Sequence, residues 1–154
     1  MDGLELAALC AFEEANLEPD DGVAGVLKVI QNRMRLRFQS DGTVEGTIFH
    51  GNGVAFSWAA FDWFNHRYQR VANGLTEIEA RAAHLEQVAA GYPNAWARAL
   101  RITRAMVART YHGPDFDRLT DDTVLYLNPA IAHAPWATPD KQVWVIGHHV
   151  FYRA

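Results

Sequence analysis

The sequence predicts an α+β fold, a mostly helical body with a small antiparallel β-hairpin near the C-terminus. From Leu4 to about Thr110, apolar residues recur at helical spacing, interrupted by turn signals and one aromatic-rich stretch. The last third changes character. Thr123 to Asn128 and Gln142 to Tyr152 are rich in β-branched and aromatic residues, with a break at Gly147. A chain of 154 residues, 49% apolar and 21% charged, is long enough for one core, so residues 1–154 read as a single domain.

Leu4 to about Leu17 reads as the first helix, apolar nearly all round and therefore central. Pro19 ends it, because the residue before a proline avoids helical angles. Asp20 or Asp21 is expected to cap the second helix, which runs from about Gly22 to Phe38. There Val23, Val26, Leu27, Ile30 and Met34 form one buried stripe. Ser40-Asp41-Gly42-Thr43 and Gly51-Asn52-Gly53 are turns. Residues 59 to 75, with Phe61, Trp63, Phe64 and Tyr68, read as loop plus short helix. Thr76-Glu77-Ile78-Glu79 is close to a capping box and opens a helix to Ala90. Gly91-Tyr92-Pro93-Asn94 breaks it. Ala95 to Thr110 follows as an amphipathic helix with Trp96, Leu100, Thr103 and Val107 on one side. Beyond it come a strand over 123–128, a turn at Asn128-Pro129, a proline-containing loop over 130–141 and the hairpin.

Composition excludes several functions. The formal charge is −4, the only lysines are Lys28 and Lys141, and no Lys/Arg block stands out. Nucleic-acid binding needs a basic stripe to replace counterions, so no nucleic-acid partner is expected. No stretch reaches the roughly 20 apolar residues that span a bilayer, so no membrane insertion is expected. The start, Met1-Asp-Gly-Leu-Glu, lacks a basic leader region, which predicts synthesis in the cytoplasm without a signal peptide. The one cysteine, Cys10, reads as a small buried filler. Nothing in the sequence demands an oligomer, and a monomer is expected.

The most informative segment is 14–33. Glu14 and Glu18 lie four residues apart at the end of an apolar run, Pro19 stops the run, and a second apolar helix ends at Asn32-Arg33. Carboxylates four apart on a helix share one face, with Cβ atoms about 6 Å apart. An apolar setting disfavours the charged form of a carboxyl, and a carboxyl so held can serve as a glycosidase acid. Helix phase alone does not choose between Glu13 and Glu14. Glu13 lies in line with Leu6, Leu9, Cys10 and Leu17, and Glu14 with Ala7, Cys10, Ala11 and Glu18. Two adjacent carboxylates cannot point the same way on a helix.

These residues resemble the SleB-type cell wall hydrolases, which include spore cortex-lytic enzymes and many phage and prophage lysins. The resemblance rests on Glu14, Ala15, Glu18, Pro19 and Gly22, then Asn32-Arg33, then Phe56-Ser57-Trp58. It closes on Tyr126, Pro135-Trp136 and the run Ile146-Gly147-His148-His149-Val150-Phe151-Tyr152. Two departures stand out: Leu17 where family members often carry glycine, and Val124-Leu-Tyr126-Leu-Asn128 in place of a histidine-bearing strand. The resemblance implies a lysozyme-like α+β fold and a single catalytic domain. It implies a partner, the glycan strands of peptidoglycan, cleaved between N-acetylmuramic acid and N-acetylglucosamine as by a lytic transglycosylase or muramidase. Position in the motif makes Glu14 the general acid. A short chain of this kind suits a phage or prophage endolysin, acting on the wall after holin-type release.

The substrate-binding candidates are Glu18, Phe56, Ser57, Trp58, Tyr126, Asn128, Trp136, His149 and Tyr152. Glu18 serves as a second carboxylate at the substrate or, the favoured role, as a structural group hydrogen-bonded to loop N–H groups beyond Pro19. Ser57 can bond the acid or a sugar amide, and equally be a turn serine. Trp58, Trp136 and Tyr126 can stack along sugars or fill a core. Asn128 is a natural turn residue whose amide can also read an N-acetyl group. One polar substrate contact is expected from the pair His149 and Tyr152. No cofactor or metal is expected. No His-Glu-x-x-His occurs, and side chains of adjacent strand residues such as His148 and His149 point to opposite faces. Two alternatives remain: a metal-dependent peptidoglycan amidase, and a non-catalytic glycan-binding virion domain.

Overall fold

The computed structural model describes residues 1–50, 56 and 77–154. Ser57, Trp58, the Gly51–Gly53 turn, the 59–75 region and Thr76 lie outside the described residues. Within them the chain forms α1 (Gly3–Ala15), α2 (Asp20–Leu36), α3 (Val44–Ile48), α4 (Glu77–Gly91) and α5 (Pro93–Val107). A small sheet follows, β1 (Thr123–Leu127), β2 (Gln142–Ile146) and β3 (His149–Arg153). The fold is α+β, as the residue patterns predict.

Helix α1 is the centre of the body. An Asp2–Glu5 capping box starts it, and eight residues from Leu6 to Ala15 are buried. It packs against α2, α3 and α5. It stops at Ala15, short of the expected Leu17, whose side chain is 88% exposed. Pro19 is the N-cap of α2, in extended conformation and with no side-chain cap. Asp20 and Asp21, expected as caps, sit in the first turn instead and are drawn elsewhere. Asp20 pairs with Arg98 and Arg101 of α5. Asp21 accepts hydrogen bonds from the Tyr111 hydroxyl and from the N–H groups of Asp115 and Phe116. Burial pushes the Asp21 carboxyl up, but those three hydrogen bonds together outweigh it and hold it below the usual carboxylate range. Two further expectations are corrected. α5 begins at Pro93, an N1 position that suits proline, rather than at Ala95. Its buried stripe is Trp96, Ala99, Ile102, Thr103 and Met106, while Val107 faces solvent.

The sheet has the order β1-β3-β2, all antiparallel. Gly147 takes φ 58 in the turn between β2 and β3, where glycine adopts left-handed angles at no steric cost. Phe151, Ile146, Val143 and Tyr126 face the helical core. Val124, Leu125, Leu127, Val150 and Tyr152 form a second cluster on the other face, covered by Ala134, Trp136 and Ala137 of the 130–141 loop. Helix α2 holds the sheet. Its Asn32 amide donates to the Thr120 and Thr123 carbonyls (3.2 and 2.9 Å), and Arg33 Nε donates to the Val124 carbonyl (2.7 Å). Gly25 makes the contact close: a Cβ there would fall on the Phe151 ring. Among the described residues no helix is long and apolar enough to cross a membrane.

Candidate active site

Glu13 and Glu14 diverge at the end of α1, as helix geometry requires of neighbours. Glu13 turns toward α4, where its Oε1 lies 3.1 Å from His84 Nε2. Glu14 turns toward the sheet, and the Tyr126 hydroxyl donates to its Oε2 at 2.9 Å. Both carboxylates are half-buried. Burial, then the charge of Glu14, raises the Tyr126 phenol well above its usual range, so it stays protonated and donates.

Aromatic and cationic groups surround this pair. The Tyr126 ring lies 5.0 Å from His149, 5.7 Å from Phe151 and 6.2 Å from Phe56, centroid to centroid. Arg33 sits over the Phe56 ring at 5.2 Å. Burial lowers the Arg33 guanidinium below its usual value, and Tyr126, Cys10 and Glu14 oppose that shift. Its Nη1 is buried without a hydrogen-bond partner among the described residues. In the sequence Arg33 stands only as a motif residue at the end of α2, and no local pattern announces its place near Glu14 and Tyr126.

Glu18 is 7% exposed, and its partner is the hairpin turn rather than the loop beyond Pro19. Its carboxylate accepts from the backbone N–H of His148, at 3.3 and 3.1 Å to the two oxygens. Both histidines of the turn approach it, His148 Nδ1 at 3.2 Å and His149 Nδ1 at 3.9 Å. The expectation that they face opposite ways therefore fails: His148 lies in the turn, outside the alternation of β3. Burial lowers the His149 imidazole below its usual value, while Glu18 and Glu14 pull it up and His148 pushes it down.

The structure thus brings Glu14, Tyr126, His149 and Phe56 together, with Glu18 behind His149. It does not bring Trp136 and Tyr152 to them. These two meet edge to face at 5.4 Å in the cluster on the far side of the sheet. Asn128 uses its Oδ1 to accept from the Ala130 N–H, closing the turn after β1. A surface groove of about 710 Å³ opens elsewhere, between α2, the end of α5 and the segment 111–121, and no candidate residue lines it. Among the described residues no group of three or more His, Cys, Asp and Glu side chains could hold a metal ion.

Comparison with known proteins adds one match. The pattern of the cell wall hydrolase family covers residues 17–152. The chain belongs to the SleB-type cell wall hydrolases. Peptidoglycan is accordingly the substrate of this hydrolase. The match opens at Leu17 and does not include Glu14. No curated protein and no solved structure matches the chain.

Proposed function

We propose that the protein cleaves the glycan strand of peptidoglycan between N-acetylmuramic acid and N-acetylglucosamine, with Glu14 as general acid. The observation that carries this reading is the half-buried Glu14 carboxyl, fixed by the Tyr126 hydroxyl at the end of a buried helix. A carboxyl set among aromatic rings is suited to protonating a glycosidic oxygen.

The disposition of the other acids favours a lytic transglycosylase. Inverting and retaining glycosidases need a second carboxylate at the scissile bond. Glu18 is occupied by the hairpin turn, and Glu13 by His84. Glu14 alone can serve both halves of a transglycosylation. It gives its proton to the leaving oxygen as the C1–O bond breaks. It then accepts the proton of the muramic acid C6 hydroxyl as that oxygen bonds to C1, and a 1,6-anhydro end results. No water is consumed and the acid is restored. Such a chain fits a phage or prophage endolysin that reaches the wall through a holin lesion.

Glu14→Gln tests the assignment. Removing a general acid costs about 10²- to 10⁴-fold in rate. Lysis of purified sacculi is expected to vanish while folding and sacculus binding persist, and a variant that lyses normally removes Glu14 from the role. Mass spectrometry of the products decides the chemistry. Anhydro ends support the transglycosylase, reducing muramic ends give a muramidase, and freed stem peptides, especially if a chelator blocks their release, give an amidase. Binding without any product gives the non-catalytic virion domain.

A further inference from the structure

We infer that Arg98 is a positioning residue for the reaction, acting on Glu14 through the backbone at the end of α1. The inference rests on Glu14 being the acid. The last carbonyls of a helix have no intrahelical partner, and cations near that end complement its partial negative charge. Helix α1 has no basic residue in its last turn. Arg98, from α5, supplies what is missing. Its Nη2 donates to the carbonyls of Glu18 (2.8 Å), Asn16 (3.2 Å) and Ala15 (3.5 Å). Its Nη1 donates to Asp20 Oδ1 at 3.2 Å, and Arg101 holds the other oxygen of Asp20 at 3.1 Å.

One guanidinium therefore gathers the backbone from Ala15 to Glu18 and ties it to the first turn of α2. Glu14 is the residue just before that stretch. Helix ends fray, and opening the last turn of α1 would swing the Glu14 carboxylate away from the Tyr126 hydroxyl, which is carried by a different element. Arg98 thus sets the direction of the acid without touching it. Lysine cannot replace it fully, because a single ammonium lacks the planar fork that spans several acceptors.

Arg98→Met keeps the length of the side chain and removes its donors. Small misplacements of reacting groups cost up to about 100-fold, so kcat per folded molecule on soluble glycan fragments is expected to fall about 10- to 100-fold. KM should stay within about twofold, because the lost interaction does not touch substrate. Arg98→Lys should recover part of kcat. A merely structural arginine would lower the folded fraction, read by near-ultraviolet circular dichroism, and leave kcat per folded molecule unchanged. That result, with Glu14→Gln inactive, overturns the role of Arg98 alone. An active Glu14→Gln overturns the reading beneath it. If Arg98→Met does not fold, Asp20→Asn, which removes the brace on Arg98, should lower kcat in the same direction by a smaller factor, and an unchanged kcat there overturns the proposal.

Discussion

The two faces of the C-terminal sheet hold the same kinds of residue and do different work. The inner face presents Tyr126, His149 and Phe151 to α1 and α2, with the Tyr126 hydroxyl bonded to Glu14 and His149 Nδ1 3.9 Å from Glu18. The outer face presents Leu125, Leu127, Val150 and Tyr152 to the 130–141 loop, where Trp136 meets Tyr152 edge to face. An aromatic ring on a strand next to an active site is thus no guide to function until its face is known. The inner aromatics orient a carboxylate, whereas the outer ones bury area.

Replacements on the two faces should separate these contributions. Tyr152→Ala removes a buried ring from the outer cluster and should cost about 3 kcal/mol, by analogy with other buried aromatic truncations. Chemical denaturation measures that loss, and kcat per folded molecule should not change. Tyr126→Phe on the inner face should reverse the pattern. The lost hydrogen bond to a carboxylate is worth about 1.5 kcal/mol, which as a rate is about tenfold. Stability should fall by about 1 kcal/mol or less, because Glu14 is only partly buried and water can replace the lost donor. If Tyr152→Ala loses kcat and Tyr126→Phe keeps it, the assignment of the faces is inverted.

His149 gives the smallest effect, in the pH dependence of stability. Its pKa in the folded protein lies below the ordinary value of 6.5, chiefly through burial. The unfolded chain therefore binds the proton more readily. Stability from this group is complete above about pH 6.5, falls as pH drops below it, and levels off below the folded pKa. His149→Gln should flatten that decline, which melting temperatures measured from neutral to mildly acidic pH would show. An unchanged slope would mean that the ring titrates alike in the folded and the unfolded chain, and would overturn the effect of burial.

Much of this architecture is legible in the residues. The period of the apolar positions locates α1 and α2, and Gly147 locates the turn of the hairpin. The five-residue α3 is too short to show a period. The faces of the sheet are hidden for a physical reason. Simple alternation puts Val124 on the same face as Tyr126, but the register shifts between Thr123 and Leu125, and Val124 joins the outer cluster. Trp136 and Tyr152 are grouped with Tyr126 by the family resemblance, although in the fold the sheet separates them. Position in the motif singles out Glu14, but the partners that turn Glu14 and Glu13 apart, Tyr126 and His84, are both distant in sequence. The capping role expected of Asp20 and Asp21 gives way to partners on α5 and at residues 111–116, which no local pattern announces.

The bond from the His148 N–H to Glu18 joins residues 130 positions apart. The approach is so close that any side chain at Gly147 would strike the carboxylate. As the chain leaves the ribosome, Glu18 emerges well before the hairpin turn that holds its carboxylate. A growing chain therefore leaves the corner between the first two helices unpinned until the closing strands have docked.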